Sequence, residues 1–247
     1  AHRLHRCGYK ILMTDLTKPT AIRRTVSFCQ AVYDGCLTLE GVTARRAEPG
    51  NFVDIMAAGE IPLVAGADPD WLDSLEAAAF IEGTLSKRNT GLSRRCGRLT
   101  IALGPGYSAG MDADAVIETA RGHYLGRVIL NGPALPNTGR PGLIGGYDLE
   151  RLVLAPAAGE VRFTSAIGDR VDAGQAIGSV GGSPIIAAID GVLRGALHNG
   201  LNVPENFKIG DIDPRLDAAA YIHSPSDKAR AIAGGVLEAL LGAGVMP

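Results

Sequence analysis

Long apolar runs are absent from the 247-residue chain. Runs such as residues 185–189 fall far short of the roughly 20 residues that cross a bilayer. The first residues show no cationic stretch followed by an apolar run, so no secretory signal is expected and the protein is expected to be cytoplasmic. Aromatic residues are scarce at 5%, which with 33 glycines and 14 prolines points to tight turns and thin β-layers. Charge of one sign is scarce as well. A net charge of −2 gives no general attraction to nucleic acid or to an anionic membrane, so neither is expected as a partner. Cysteine is limited to Cys7, Cys29, Cys36 and Cys96, with no CxxC pair and no histidine at ligand spacing, which argues against structural zinc or another metal site. These read as reduced thiols. Cys96 stands apart because Arg94, Arg95 and Arg98 flank it: guanidinium groups held close would favour its thiolate, the alternative being an exposed loop thiol.

What is present is ordinary globular composition, 46% hydrophobic and 20% charged, in a length that suits one large domain or two modest ones. Residues 1–98 read as a Rossmann-like α/β domain whose first strand and glycine-rich turn are not in the chain. A strand is expected over 9–15, a helix over 21–28 after Thr20, short strands at 36–39 and 42–45, and a helix over 52–58 between Asn51 and Gly59. Buried parallel strands at 61–65 and 77–81 would complete one open sheet. In such a unit Asp15, at a strand tip, would bond a ribose hydroxyl; otherwise it pairs with a helix N-terminus. Arg23 and Arg24 could hold a phosphate or carboxylate, one of the two serving only as a surface ion partner.

Residues 99–150 form a Gly/Pro-rich β segment with candidate ligand loops. Gly104 and Gly106 follow a strand at 99–103 and could present N–H groups to an anion. Glu118, Arg121 and His123 gather acid, base and imidazole, so His123, Glu118 and Cys96 are the candidate catalytic set. The alternative for His123 is a turn position after Gly122. Asn137 and Thr138, with Gly139, would line a polar loop able to read a ligand's edge. The final segment, 216–247, carries a helix that packs back, capped by Ser226 and Asp227. Gly234 and Gly235 inside it each cost roughly 1 kcal/mol against alanine, which implies close approach of another backbone or a ligand.

Residues 151–215 contain two similar corners, APAAGEV at 155–161 and AAIDGVL at 187–193, around the string GDRVDAGQAIG at 168–178. In that order these resemble a biotinyl/lipoyl-like β barrel-sandwich. Carriers of that kind hold their acceptor lysine at the central hairpin tip, here Gly181-Gly182-Ser183, which has none. Neither biotin nor lipoate can be attached there, so the module is expected to dock rather than carry. Asp211 and Asp213 are spaced to share one face and could hold a hard cation or cap the turn before Pro214.

Several further strings occur together: AIRRTVSF at 21–28, LGPGY at 103–107, VIETARGH at 116–123, PNTG at 136–139, KIGDIDP at 208–214 and DKARAIAGGVLE at 227–238. Jointly they resemble the accessory-protein family of selenium-dependent molybdenum hydroxylases, the YqeB type. The resemblance implies a role in maturing a molybdenum hydroxylase client, with nucleotide or molybdenum cofactor as possible ligands. The competing expectation is a nucleotide-dependent sulfur or selenium transferase, or an oxidoreductase, acting on that cofactor. The family tends to have aspartate near position 82, where this chain has Glu82. An incomplete first sheet would leave an open edge, so self-association into a homo-oligomer is expected.

Overall fold

The structure, a computed structural model, describes residues 1–91, 98–215 and 217–247. It is a mixed α/β chain with several separate sheets, none of which closes into a barrel among the described residues. Two compact units interleave along the sequence. The first comprises residues 1–11, 68–139 and 225–247, and the second residues 12–67 and 140–224.

Helix α1 (His2–Arg6) begins the first unit. The second unit then supplies β1 (Met13–Asp15), α2 (Ala31–Asp34), β2 (Cys36–Leu39), β3 (Val42–Ala47), α3 (Phe52–Ala57) and β4 (Ile61–Ala65). Strand β4 runs parallel to both β1 and β3, and β2 closes the sheet as an antiparallel partner of β3. Because β4 is flanked on both sides, Ile61, Leu63 and Val64 are buried, the near-continuous apolar run that a central parallel strand requires.

The first unit resumes with α4 (Pro69–Ser74), β5 (Ala79–Glu82), β6 (Leu99–Leu103), β7 (Ser108–Ala109), β8 (Ala115–Ile117), β9 (Val128–Ile129) and β10 (Gly132–Pro133). Its sheet has the order β5-β6-β8-β9, the first three strands parallel. Alternation along the strands sorts the side chains. Ile81, Ile101 and Ile117 join a core with Ile232, Val236, Ala239 and Leu240, while Phe80, Ala102 and Val116 join another with Tyr107 and Ala134.

The second unit ends with β11 (Leu152–Leu154), β12 (Gly159–Phe163), β13 (Arg170–Val171), β14 (Ala176–Val180), β15 (Ser183–Ile186), β16 (Gly191–Ala196), β17 (Asn202–Val203) and β18 (Lys208–Asp213). They build two four-stranded sheets, β11-β18-β16-β13 and β15-β14-β12-β17, whose inner faces share one core that includes Val161, Ile177, Leu193 and Ile212. At the β14–β15 turn Gly181 and Gly182 have φ of 57° and 89°, the pair of positive angles that a tight two-residue hairpin demands.

The last helix of the first unit, α5 (Asp227–Gly242), starts where the Ser226 hydroxyl accepts the Ala229 N–H at 3.2 Å. Its buried residues 232, 236, 239 and 240 recur at helical spacing and cover the sheet. A Cβ on Gly235 would lie 2.1 Å from the Gly126 carbonyl oxygen, so the turn before β9 touches the helix backbone there.

Three expectations are corrected. The strands assigned to one open Rossmann-like sheet over residues 1–98 lie in two different sheets, because β5 pairs with β6 and not with β4. The helix expected over 21–28 is replaced by two short 3-10 turns, Arg24–Val26 and Phe28–Gln30; the backbone at Ile22 instead accepts the Ala196 N–H of β16 at 2.9 Å. Only Met13–Asp15 of the expected strand over 9–15 forms, since Tyr9 belongs to the core of the first unit.

Candidate functional site

In the second unit, anchoring of residue 22 on β16 carries Arg23 and Arg24 into a defined position. The Arg24 Nε donates to the Ala196 carbonyl at 2.7 Å. Beside it a cavity of about 270 Å³ is lined by Arg24, Thr25, Gln30, Asp34, Leu37 and Ile167. Gln30 is only 6% exposed; its Nε2 donates to Asp34 Oδ2 at 2.9 Å, which fixes the amide orientation and leaves Oε1 buried without a partner. Burial lowers the Arg24 pKa, an effect opposed by the charge of Asp34. The two charges thus influence each other across the cavity without forming an ion pair.

Arg23 faces a different environment. Its Nε is buried without a partner and its Nη2 donates weakly to the Tyr221 carbonyl at 3.4 Å. Burial lowers its pKa, and the charge of Arg194 lowers it further. Nearby lies an ionic chain in which Arg151 binds Asp211 at 2.7 Å, Arg194 bridges Asp211 and Asp213, and Arg215 holds Asp213 at 2.7 Å. Asp211 and Asp213 are buried, as is Arg151. For Asp213, burial alone would raise the pKa, but the hydrogen bonds from Arg215 and the charge of Arg194 outweigh it and hold the carboxyl below its ordinary value. Guanidinium groups occupy the carboxylate oxygens, and Asp213 Oδ1 also accepts the Arg215 backbone N–H at 3.2 Å, in line with the turn-cap alternative rather than a hard cation. Sequence reasoning missed Arg151, Arg194 and Arg215, whose one signal was the charge-complementary Asp-x-Asp string.

Asp15 closes β1, where its Oδ1 accepts the Leu16 N–H at 2.7 Å, and burial raises its pKa. Tyr33 stacks on His198 at 3.8 Å and donates to the Pro19 carbonyl at 2.8 Å. Burial raises the pKa of the Cys29 thiol, whose Sγ lies 3.0 Å from the Ser27 hydroxyl.

In the first unit the candidates cluster at the carboxyl ends of the parallel strands. Glu118 is buried, and its carboxylate accepts N–H bonds from Thr119 and Ala120 at 2.7 Å each and from Leu135 at 2.8 Å. That set fastens two loops to the end of β8. Arg121 pairs with Asp227 at 2.8 Å, and the half-buried Lys228 has its pKa lowered by burial and by the charges of Arg121 and Lys87. Gly104 and Gly106 are hemmed in: a Cβ would meet the Thr119 hydroxyl at 2.5 Å and the Arg88 N at 2.4 Å. Glu82 is buried with Oε1 accepting the Thr84 N–H at 2.9 Å.

His123 sits in an exposed turn, and Asn137 and Thr138 lie in an exposed irregular segment. Gly234 and Gly235 face Arg3 and Gly126 respectively. Cys96 lies outside the described residues. Glu118, Arg121, Gly104 and Gly106 lie in the first unit and Arg23 and Arg24 in the second, where the two arginines face different surroundings. Among the described residues no helix is long and apolar enough to cross a membrane.

A mixed α/β chain with polar clusters in two units defines the class of protein, and comparison with known proteins narrows it. No known family profile matches the chain. Over 242 residues, 98% of the chain, it is 48% identical to the uncharacterized protein YqeB of Escherichia coli (strain K12). The chain spans 44% of the length of that relative. A succinylglutamatedesuccinylase/aspartoacylase structure from Rhodobacter sphaeroides aligns with 27% of this chain and 22% of its own, at 20% identity and a TM-score of 0.23, a likeness that carries no argument.

Proposed function

We propose that the protein is an accessory factor in the maturation of a molybdenum hydroxylase, selenium-dependent in type, which binds cofactor, nucleotide or client enzyme. The observation that carries this reading is the 48% identity to YqeB over 242 residues, joined to the strings that resemble the accessory-protein family. Geometry supports a binder more than a catalyst: Glu118 has three backbone N–H partners and His123 stands in an exposed turn. On this reading the two sheets of residues 151–215 are a biotinyl/lipoyl-like docking module, its hairpin tip bare of lysine, and the parallel strands are a Rossmann-like nucleotide fold. The protein works in the cytoplasm and self-associates. Mass spectrometry of the purified protein for nucleotide, molybdopterin or selenium tests it, with titration of the same ligands. Nothing bound and no binding on titration would remove the cofactor-handling role.

A second reading rests on Cys96 among Arg94, Arg95 and Arg98: a sulfur or selenium transferase, or an oxidoreductase, acting on the cofactor. Under it Cys96→Ser or His123→Ala abolishes activity while client binding persists. A docking factor tolerates both substitutions.

A further inference from the structure

The loops that follow β5, β6 and β8 in the first unit meet at the carboxyl ends of three parallel strands, where open α/β sheets take their ligands. They are pressed together: a Cβ on Gly106 would lie 2.4 Å from the Arg88 N, and one on Gly104 would lie 2.5 Å from the Thr119 hydroxyl. Thr119 is only 6% exposed, and its hydroxyl has no hydrogen-bond partner among the described residues. The oxygen is not sealed in, because the described side-chain atoms that are both unbonded and shut away from solvent do not include it. A hydroxyl so deep and still unbonded holds donor and acceptor capacity that the chain leaves unused.

The charges around it do not balance. Arg121 pairs with Asp227 through one Nη, and Glu118 is satisfied by backbone N–H groups. Lys228 and Lys87 have neither an ion pair nor a hydrogen bond among the described residues. Lys228 is half-buried, and burial together with the charges of Arg121 and Lys87 lowers its pKa, so one ammonium stands against two further cations. It also lies in the first turn of α5, where the positive end of the helix dipole opposes it. An anion bound here would relieve each of these repulsions.

We propose that this end of the first unit binds a phosphate group, its oxygens taken by the ammonium groups of Lys228 and Lys87, the Thr119 hydroxyl and the Arg121 N–H groups that Asp227 leaves open. The charge of a phosphate dianion matches the two unpaired ammonium groups. Its oxygens point in several directions, which suits donors arriving from separate loops and a helix, whereas a carboxylate offers two oxygens in one plane. Such a group comes either as free phosphate or as part of a nucleotide. The nucleotide source deepens the cofactor-handling reading and rests on it; the site itself does not.

The test is calorimetric titration of the intact protein with inorganic phosphate, AMP, ADP, ATP and adenosine at low ionic strength. Saturable binding of the phosphate-bearing probes is expected, and none of adenosine. A nucleotide at least about tenfold tighter than inorganic phosphate identifies the nucleotide source, and equal affinities identify free phosphate. Lys228→Gln should weaken binding at least about tenfold, while the ligand-free melting temperature holds or rises because a repulsion is gone. Thr119→Val keeps the branched shape and breaks no hydrogen bond within the chain, so it should fold normally and bind about fivefold more weakly. The proposal fails if neither phosphate nor a nucleotide saturates the protein at about 10 mM, or if adenosine binds as tightly as ADP. It fails equally if either variant binds as the parent does. Nucleotide binding that Lys228→Gln leaves unchanged would overturn this site and keep the cofactor-handling reading; binding of phosphate with no gain from the nucleoside would keep the site and count against nucleotide handling.

Discussion

In the first unit a buried carboxylate, Glu118, is held by three backbone N–H groups. In the second, two buried carboxylates, Asp211 and Asp213, are held by the guanidinium groups of Arg151, Arg194 and Arg215. Amide donors come with the chain and lose nothing when the acid is absent except their partner. Arg151 and Arg194 are themselves largely desolvated, so each depends on its aspartate, and removing one partner strands a charge. Glu118 fastens loops to a strand end. The ionic chain fixes β11, β16 and β18 against one another.

The largest expected effect follows from that dependence. Asp211→Asn should destabilise the protein by about 3–5 kcal/mol in denaturant unfolding, since it leaves Arg151 buried without a counter-ion. Replacing Arg151 and Asp211 together by Met and Leu should cost much less; a double variant as unstable as the single would break the comparison. Gly235→Ala should cost about 1–3 kcal/mol because its Cβ would overlap the Gly126 carbonyl. Gly234→Ala, which meets only the end of the Arg3 side chain, should be neutral or gain up to about 1 kcal/mol. Glu118→Gln sets an amide N–H₂ against a backbone N–H and should cost about 2 kcal/mol.

Acid supplies the gentlest probe. The folded pKa of Asp213 lies below its ordinary 3.8, so its contribution is complete above that value and is lost as pH falls below it. Asp15 has a raised pKa, and its contribution runs the other way, weakening as pH rises through the carboxylate range. Asp213 alone lowers the unfolding midpoint as pH falls through that range while Asp15 opposes it, so Asp213→Asn should make the midpoint fall less than in the parent. An unchanged slope in that variant would place acid sensitivity elsewhere.

Legibility in the sequence followed how local the signal was. Strands β4 and β6, helix α5 with its Ser226 cap, and the Gly181-Gly182 hairpin are written in short apolar runs, helical spacing and a turn dipeptide. Residues 21–28 were not legible as 3-10 turns, because their helix-compatible composition is overridden by pairing of Ile22 with Ala196, far along the chain. The division of strands between two sheets escaped for the same reason: alternation tells which face is buried but not which strand lies alongside. Of the sites, Arg24 and Glu118 stood out by their local company. Gln30 did not, since nothing in its neighbours marks a buried amide with one bond unmade. Arg151 and Arg194 were not singled out because their aspartates lie 60 and 17 positions away.

The most direct test of the maturation role is molybdenum hydroxylase activity, with selenium and cofactor content, in cells lacking this protein. The account predicts hydroxylase polypeptide that accumulates normally but is inactive and short of selenium or cofactor, restored by the wild-type gene. Fully active, fully loaded hydroxylase in those cells would contradict it.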